Sequence, residues 1–154
     1  MDGHETWLSE CAKMGYEPEA RLYAEGTRTS QDAANQLGCD VAHIAKSIVF
    51  AGHDGAVVVI TSGANRVERK RKLKRLLGYK PSMTDAEYIL ENTGYAPGGV
   101  PPFGHLRPCV VLMDEDLMQY DLVWGAGGTA QTVFPITPED LLSLSGATVA
   151  DVKQ

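Results

Sequence analysis

The sequence lacks any apolar run long enough to cross a membrane. Its longest uninterrupted runs lie at residues 48–51 and 56–60, far short of the roughly 18 residues that a spanning helix needs. Acidic side chains occupy the first residues, where a signal peptide would carry a basic region followed by an apolar one. We therefore expect a cytoplasmic protein with no membrane partner.

Paired cysteines and metal-ligand spacings are missing as well. The 3 cysteines are far apart and form no C-x-x-C pair, and the 4 histidines show no H-x-x-x-H spacing, which argues against a disulfide framework and a zinc site. The chain has no G-x-S-x-G elbow, no Walker loop and no H-E-x-x-H motif. The GAGG stretch at residues 125–128 opens no predicted helix and is weak support for a dinucleotide. We expect neither a metal nor a cofactor.

What remains is an ordinary globular composition with one unusual concentration of charge. With 154 residues, of which 44% are apolar and 22% charged, residues 1–154 are predicted to form one domain. The net charge is −6, yet half of the 14 lysines and arginines lie in residues 66–75. Such a run is typical of a solvated helix face, and it also suits contact with phosphates, which depends on local charge. Both interpretations stay open.

The hydrophobic spacing predicts helices and antiparallel strands that are interspersed. Residues 4–14 form one predicted helix, Ser30 caps another that ends at Gly38, and the basic segment is a helix closed by Gly78. Residues 47–51 and 56–61 form a predicted hairpin around an Asp-Gly turn. A capping box of Thr84 and Glu87 begins a predicted helix that runs to about Asn92, and another predicted helix begins at Pro138. Further strands are predicted at 108–113, 121–124 and 132–135. This order predicts a mixed α/β fold rather than a Rossmann sheet.

The stretch GYAPGGVPPFGH, residues 94–105, is rich in glycine and proline. Glycine lets the backbone approach a ligand, while proline restricts φ and removes an N–H. We expect the N–H groups of Gly98, Gly99 and Val100 to be free to polarise a carbonyl, as in an oxyanion hole. A rigid crossover between a helix and an edge strand explains the same composition.

Three further side chains have a structural interpretation that competes with a functional one. Lys46 directly precedes the apolar run SIVFA, where a lysine either protects a strand edge or brings a positive charge to a site. Thr27 and Thr29 lie just before the predicted second helix and are typical of loop and cap positions.

Four segments, EGTRTSQDAANQLGCDVAHIAKSIVF, VVVITSGANRV, TGYAPGGVPPFGH and VFPITPEDLLSLSGA, follow one another between about Leu22 and Val149. Together they resemble the YbaK family of free-standing aminoacyl-tRNA deacylases, which are related to the editing insertion of bacterial prolyl-tRNA synthetase. The resemblance implies a twisted, partly barrel-like, mostly antiparallel sheet flanked by helices. It also implies hydrolysis, in trans, of the ester that joins a wrong amino acid to the 3′ end of a tRNA.

The resemblance also implies which residues form the site. Lys46 matches the family's lysine at a strand start, and Gly98 to Pro102 matches its G-x-x-x-P loop. The second glycine loop, GAGGTAQTVF, lacks the G-R-R-G type sequence of the Cys-tRNA deacylase branch, which puts cysteine in doubt as the substrate. The expected residues are Lys46, Gly98 and Gly99 for catalysis, Thr29, Val100, Pro101, Pro102, Phe103, Gly125, Gly127 and Gly128 for substrate binding, and Arg66, Arg69, Lys70, Lys72 and Lys74 for tRNA binding.

These expectations predict a trans-editing hydrolase. A cleft walled by Val100 and Phe103 suits a small amino acid such as Ala, Ser, Thr or Cys. Aminoacyl-tRNA is the expected partner, with an aminoacyl-tRNA synthetase as a second candidate. The alternative is a non-catalytic module on the same fold that binds tRNA or a synthetase.

Overall fold

A computed structural model describes residues 1–23 and 29–154 of the chain. The stretch that contains Thr27 lies outside these described residues. Within them, no helix combines the length and the apolar character that crossing a membrane requires.

The helices begin at polar caps and end mostly at glycines. Helix α1 spans Gly3–Lys13, α2 spans Ser30–Leu37, α4 spans Ala86–Thr93 and α5 spans Pro138–Ser145. Gly38, Gly94 and Gly146 follow α2, α4 and α5 in the left-handed conformation that glycine adopts readily. The predicted helices are confirmed, including Pro138 at the first helical position.

Two predicted caps are displaced by one residue. Thr29, rather than Ser30, caps α2, because its Oγ1 accepts a hydrogen bond from the N–H of Asp32 at 3.0 Å. Asp85, rather than Thr84, caps α4. The hydroxyl of Thr84 instead donates to the carbonyl of Val49 at 3.2 Å. The group that the capping-box interpretation assigned to the helix therefore binds a neighbouring strand.

The basic segment is helical, as predicted, but in two parts. A π-helical turn at Arg69–Leu73 leads into a short α-helix, α3, at Lys74–Leu77, and Gly78 ends it in the left-handed region. Leu73 is buried and anchors the segment, while Arg66 lies before its first turn. Short 3₁₀ helices occur at Val41–His43 and Glu115–Gln119.

Seven strands of the described chain form one sheet in the order β1-β6-β5-β2-β3-β4-β7. They are β1 Arg21–Leu22, β2 Ile44–Ala51, β3 Ala56–Ser62, β4 Val110–Asp114, β5 Val123–Ala126, β6 Thr132–Ile136 and β7 Thr148–Ala150. The predicted β2–β3 hairpin is confirmed. Three neighbouring pairs are antiparallel and three are parallel, so the sheet is mixed, with more parallel pairing than the resemblance implied.

The core lies on both faces of the sheet. All seven residues of β3 are buried, which is typical of a central strand covered on both sides. One face packs Val58 and Ile60 against Trp7 of α1 and Leu141 of α5. The other packs Val57 and Val59 of β3 against Phe50, Leu73 and Val152. Helical segments therefore cover both faces of the sheet at β3.

Candidate functional site

A cavity of about 430 Å³ lies where strands β2 and β5 separate. Strand β2 pairs with β3 along its length, but it pairs with β5 only at Ile44 and Ala45. Beyond Ala45 the two strands part. The glycine and proline loop, at Gly98 and Val100, and the segment at Met83 and Thr84 also line the gap. The cavity is therefore a consequence of the sheet topology.

Lys46 is the first β2 residue beyond the contact with β5, and its side chain is exposed. It lines the cavity. Within residues 1–23 and 29–154, no acceptor is placed to hold its ammonium group. Among the lining residues that the structure describes, Lys46 is the one ionisable side chain. Its positive charge is thus available to a ligand.

Ser47, which sequence reasoning missed, directs its backbone into the same gap. Gly52 and Ile44 form hydrogen bonds on the β3 side, whereas Ala51 exchanges hydrogen bonds with Ser82 on the other side. Since these directions alternate along a strand, the N–H and C=O of Ser47 face away from β3. Its Oγ is buried, with no partner among the described residues. The one available signal was its position beside Lys46.

The glycine loop offers fewer amides than the sequence predicts. The N–H of Gly99 donates to the carbonyl of Ala96 at 3.0 Å, and a Cβ at Gly99 would lie 2.6 Å from Thr129 Cα. The expectation that this N–H is free is therefore wrong. Gly98 and Val100 line the cavity, and within the described part of the chain their N–H groups have no acceptor. Two amides remain for a ligand.

The residues that follow Val100 support the loop from behind. Pro101, Pro102 and Phe103 are buried and lie outside the cavity lining. The carbonyl of Pro101 accepts a hydrogen bond from His105 Nε2 at 2.7 Å. Burial lowers the pKa of His105, so its ring is a neutral donor at pH 7. The sequence assigned these three residues to substrate contact, and the structure places them in the packing beneath the loop.

Aromatic side chains complete this support. Trp7 Nε1 donates to the carbonyl of Phe103 at 3.1 Å, and the hydroxyl of Tyr95 donates to the carbonyl of Gly104 at 2.7 Å. The ring centroids of Trp7 and Phe134 are 4.5 Å apart. The loop is thus held by side chains from α1, from the end of α4 and from β6, which makes its amides a preorganised group.

The second glycine loop contributes one cavity residue and a helix contact. Gly125 lines the cavity, and its missing Cβ leaves room for Phe134. The carbonyl of Gly127 accepts from His4 Nδ1 at 2.6 Å, and a Cβ on Gly128 would collide with the backbone of Gly3. Gly127 and Gly128, which were expected to bind substrate, therefore contact the first residues of helix α1.

Thr29 and Trp124 complete the opposite wall. Thr29 lines the cavity, as expected, while it caps α2. Trp124, which the sequence suggested only as a strand residue, also lines it, and the guanidinium of Arg21 lies 4.8 Å from the ring centroid. Ile44 and Ile89 add apolar surface. No pattern in the sequence distinguishes these apolar residues from core residues.

Cysteine provides no nucleophile at this site. Burial raises the pKa of Cys11 to about 12 and that of Cys109 to about 11, so both thiols are neutral at pH 7. Among the described residues that line the cavity, none is cysteine, histidine, aspartate or glutamate. The hydroxyls of the lining therefore have no histidine or carboxylate among the described residues that line the cavity with them. The site can present a cation and two amides to a ligand.

The five predicted tRNA-binding residues fall into separate places. Arg66, Arg69 and Lys70 line a second cavity of about 480 Å³, which Lys46 also lines. Lys72 and Lys74 lie outside it. Lys72 pairs with Asp151 at 2.7 Å, and Lys74 is exposed on α3.

Comparisons with known proteins agree with this architecture. A solved structure described as a "putative trans-editing enzyme for prolyl tRNA synthetase" is 39% identical, has a TM-score of 0.93 and covers 100% of this chain and 98% of its own. The Enterococcus faecalis protein named "Putative Cys-tRNA(Pro)/Cys-tRNA(Cys) deacylase EbsC" is 25% identical over 146 residues, covering 94% of this chain and 89% of its own.

A proline–tRNA ligase of Thermosipho melanesiensis is 37% identical over 84 residues, which are 54% of this chain and 15% of the ligase. The model of the family described as "Aminoacyl-tRNA editing domain" matches residues 24–144. That match includes the lysine strand, the glycine and proline loop and the basic segment. The chain therefore belongs to the aminoacyl-tRNA editing domain family.

Proposed function

We propose that this protein hydrolyses, in trans, the ester of tRNA that carries a wrongly attached small amino acid. The observation that carries the proposal is the cavity itself. Lys46, Gly98 and Val100 line one space of about 430 Å³, and within residues 1–23 and 29–154 neither the ammonium group of Lys46 nor the two amides have a partner. The family membership supports the same reaction class.

The chemistry needs no nucleophilic side chain, because an aminoacyl ester is already activated. Water adds to the ester carbonyl carbon, and the N–H groups of Gly98 and Val100 stabilise the negative charge on the carbonyl oxygen. The bond from carbon to the ribose oxygen then breaks. The products are a free amino acid and a tRNA whose terminal hydroxyl has regained its proton. Lys46 neutralises developing charge or holds the terminal ribose and phosphate.

Selection for size would come from the apolar walls of the cavity. Ile44, Val49, Ile89 and Trp124 line the same cavity as Gly98 and Val100. Each methylene of difference is worth only about 1–3 kcal/mol in such a pocket, so we expect a class of small side chains. We propose Ala, Ser, Thr and Cys as that class.

The likeness to part of a proline–tRNA ligase supports a working relationship with a synthetase. Here we propose that the synthetase releases the mischarged tRNA and that this chain binds it afterwards. A second proposal is that this chain contacts the synthetase while the tRNA passes between them. Co-purification of this chain with the synthetase in the presence of charged tRNA would test it.

Substitution of Lys46 tests the proposed mechanism. Lys46→Ala should lower the rate of deacylation about 100-fold or more, the scale seen when a preorganised charge stabiliser is removed. The measurement is release of labelled amino acid from charged tRNA under single-turnover conditions. Lys13→Ala is the matched control, because Lys13 lies on α1 in an exposed ion pair with Glu10. That variant should keep the wild-type rate.

Binding measurements separate catalysis from a binding module. If Lys46→Ala binds uncharged tRNA as the wild type does but no longer hydrolyses charged tRNA, the enzyme proposal holds. A wild-type protein that binds tRNA and hydrolyses no charged species would instead establish the non-catalytic module.

A further inference from the structure

The second cavity lies beside the first, and the hydrolysis described above makes no use of it. Its volume is about 480 Å³, within the range of small-ligand sites. Four residues line both cavities and join them, namely Lys46, Ile48, Phe50 and Met83. A ligand that extends from the first cavity can therefore enter the second.

The cations around the second cavity differ in what they already bind. Arg69 donates to the carbonyl of Pro81 at 2.9 Å and thereby fixes the chain next to Met83. Arg66 and Lys70 are exposed, and no acid of the described residues pairs with either. Glu68 also lines the cavity, but its Oε2 accepts from the N–H of Arg71 and of Lys72, both at 2.9 Å. Two cations thus remain for an anion.

The backbone that carries Arg66 is held in place. The N–H of Gln154 donates to the carbonyl of Arg66 at 2.8 Å, and the N–H of Glu68 donates to the carbonyl of Val152 at 2.7 Å. Val67 forms a bridge with Lys153 between them. Arg66 therefore projects from a fixed segment rather than from a free loop, which reduces the entropy lost when it binds.

The buried side chain of Asp114 holds two residues of the cavity lining. Asp114 is 0% exposed, and its Oδ2 accepts from Thr61 Oγ1 at 3.2 Å, from the N–H of Ser62 at 3.1 Å and from Asn65 Nδ2 at 2.8 Å. A second bond joins Asn65 Nδ2 to Asp116 at 2.9 Å. Because a buried charge is costly without such partners, this network fixes Thr61 and Asn65, which both line the cavity.

We propose that the second cavity binds a phosphodiester-linked nucleotide from the single-stranded 3′ end of the tRNA. The phosphate would lie on Arg66 and Lys70, and the base would cover Ile48 and Met83. Lys46 would lie at the junction with the ester in the first cavity. This inference rests on the proposed function, since it supplies the nucleotide that precedes the ester.

An uncharged RNA tetranucleotide, ACCA, tests the inference without any hydrolysis. In NMR titrations of the full chain, it should shift the signals of Thr61 and Asn65, which line the second cavity and not the first. Arg66→Ala and Lys70→Ala should each reduce the slope of log K against log salt by ~0.7, the value for one phosphate contact on a single strand. An otherwise identical oligonucleotide without bases should bind more weakly.

The matched control is Arg75→Ala. Arg75 is exposed on the same helical segment and lines neither cavity, so its loss should leave the salt slope unchanged. If all three variants reduced the slope of log K against log salt equally, the RNA would be attracted by the general positive charge of the segment, and the inference would be overturned. Hydrolysis of charged tRNA with no shift at Thr61 and Asn65 would also overturn it, and the proposed function would stand. NMR shifts at these two residues without turnover of charged tRNA would support nucleotide binding in the second cavity and contradict the proposed hydrolysis.

Discussion

At the scale of single residues, Lys46 is set apart by what surrounds it. It is exposed on a central strand and lines both cavities, whereas Lys72 is paired with Asp151 and Lys153 with Asp116. A cation on a regular strand has a fixed backbone, so its position depends little on loop motion. Lys46 is therefore the residue whose replacement should lower turnover most directly.

His105 is a second residue with a defined role, which is to hold the loop. Burial lowers its pKa from the ordinary value of 6.5, so the folded chain takes up its proton at a lower pH than the unfolded chain does. Stability from this difference is fully present above pH 6.5, the ordinary value, and is lost as the pH falls from there through the lower pKa of the folded chain. The loop should therefore weaken under mildly acidic conditions.

We predict that the free energy of unfolding decreases between pH 7 and pH 5, and that His105→Gln removes part of this decrease. Chemical denaturation at several pH values measures both. The control variant is His53→Gln, which replaces an exposed histidine outside this loop. A His105→Gln protein with an unchanged pH dependence would show that this ring does not govern it.

At this scale the structure agrees with the sequence on position only in part. Of the site residues that the family resemblance implied, Lys46, Gly98 and Thr29 line the first cavity, and their roles there stay predictions. The prediction that the N–H of Gly99 is free was wrong, since its hydrogen bond to the carbonyl of Ala96 depends on the loop conformation. Phe103 lies in the packing because α1 covers it, a contact between residues 96 positions apart.

At the scale of elements, the site exists because β2 changes partners along its length. Its first residues pair with β5, and its far end meets Ser82 through Ala51. The strand edge between them is left to the cavity. A strand edge without a partner strand exposes backbone N–H and C=O groups, and in the described chain the backbone of Ser47 lies on this edge beside the cavity.

Helix α1 has a function in this arrangement although it lies outside the cavity. Trp7 is fully buried and donates to the carbonyl of Phe103. We predict that Trp7→Phe lowers the free energy of unfolding by about 1–3 kcal/mol, because a buried carbonyl loses its donor. Deacylation should slow because the amides of Gly98 and Val100 are less well held, while tRNA affinity stays unchanged.

Thermal melting and single-turnover deacylation of the same preparations test this prediction. Leu8→Ala is the control, since Leu8 lies on the same helix and is 38% exposed. A Trp7→Phe protein that is destabilised but deacylates at the wild-type rate would separate helix α1 from catalysis.

The elements found from sequence are those with strong local signals. The β2–β3 hairpin follows from its Asp-Gly turn, and α5 follows from Thr137 and Pro138. Strands β1 and β7 were missed because they have only two and three residues and form through pairing with distant strands. Their existence is decided by tertiary contacts that short patterns do not encode.

At the scale of the whole molecule, the charge distribution matches the proposed ligand. The chain has a net charge of −6, yet Lys46, Arg66 and Lys70 line adjoining cavities. An acidic body with one basic groove favours a polyanion that binds in one orientation. In the orientation that we propose, the end of the tRNA chain would reach the amides of Gly98 and Val100.

The most direct test of the central claim is deacylation by the wild-type protein of tRNAs charged separately with Ala, Ser, Thr, Cys and Pro, with Phe as a bulky reference. We predict rapid release of one or two of the four small amino acids and slow release of Phe, because the apolar walls admit only small side chains. Equal rates for all six, or no release of any small amino acid, would contradict the claim.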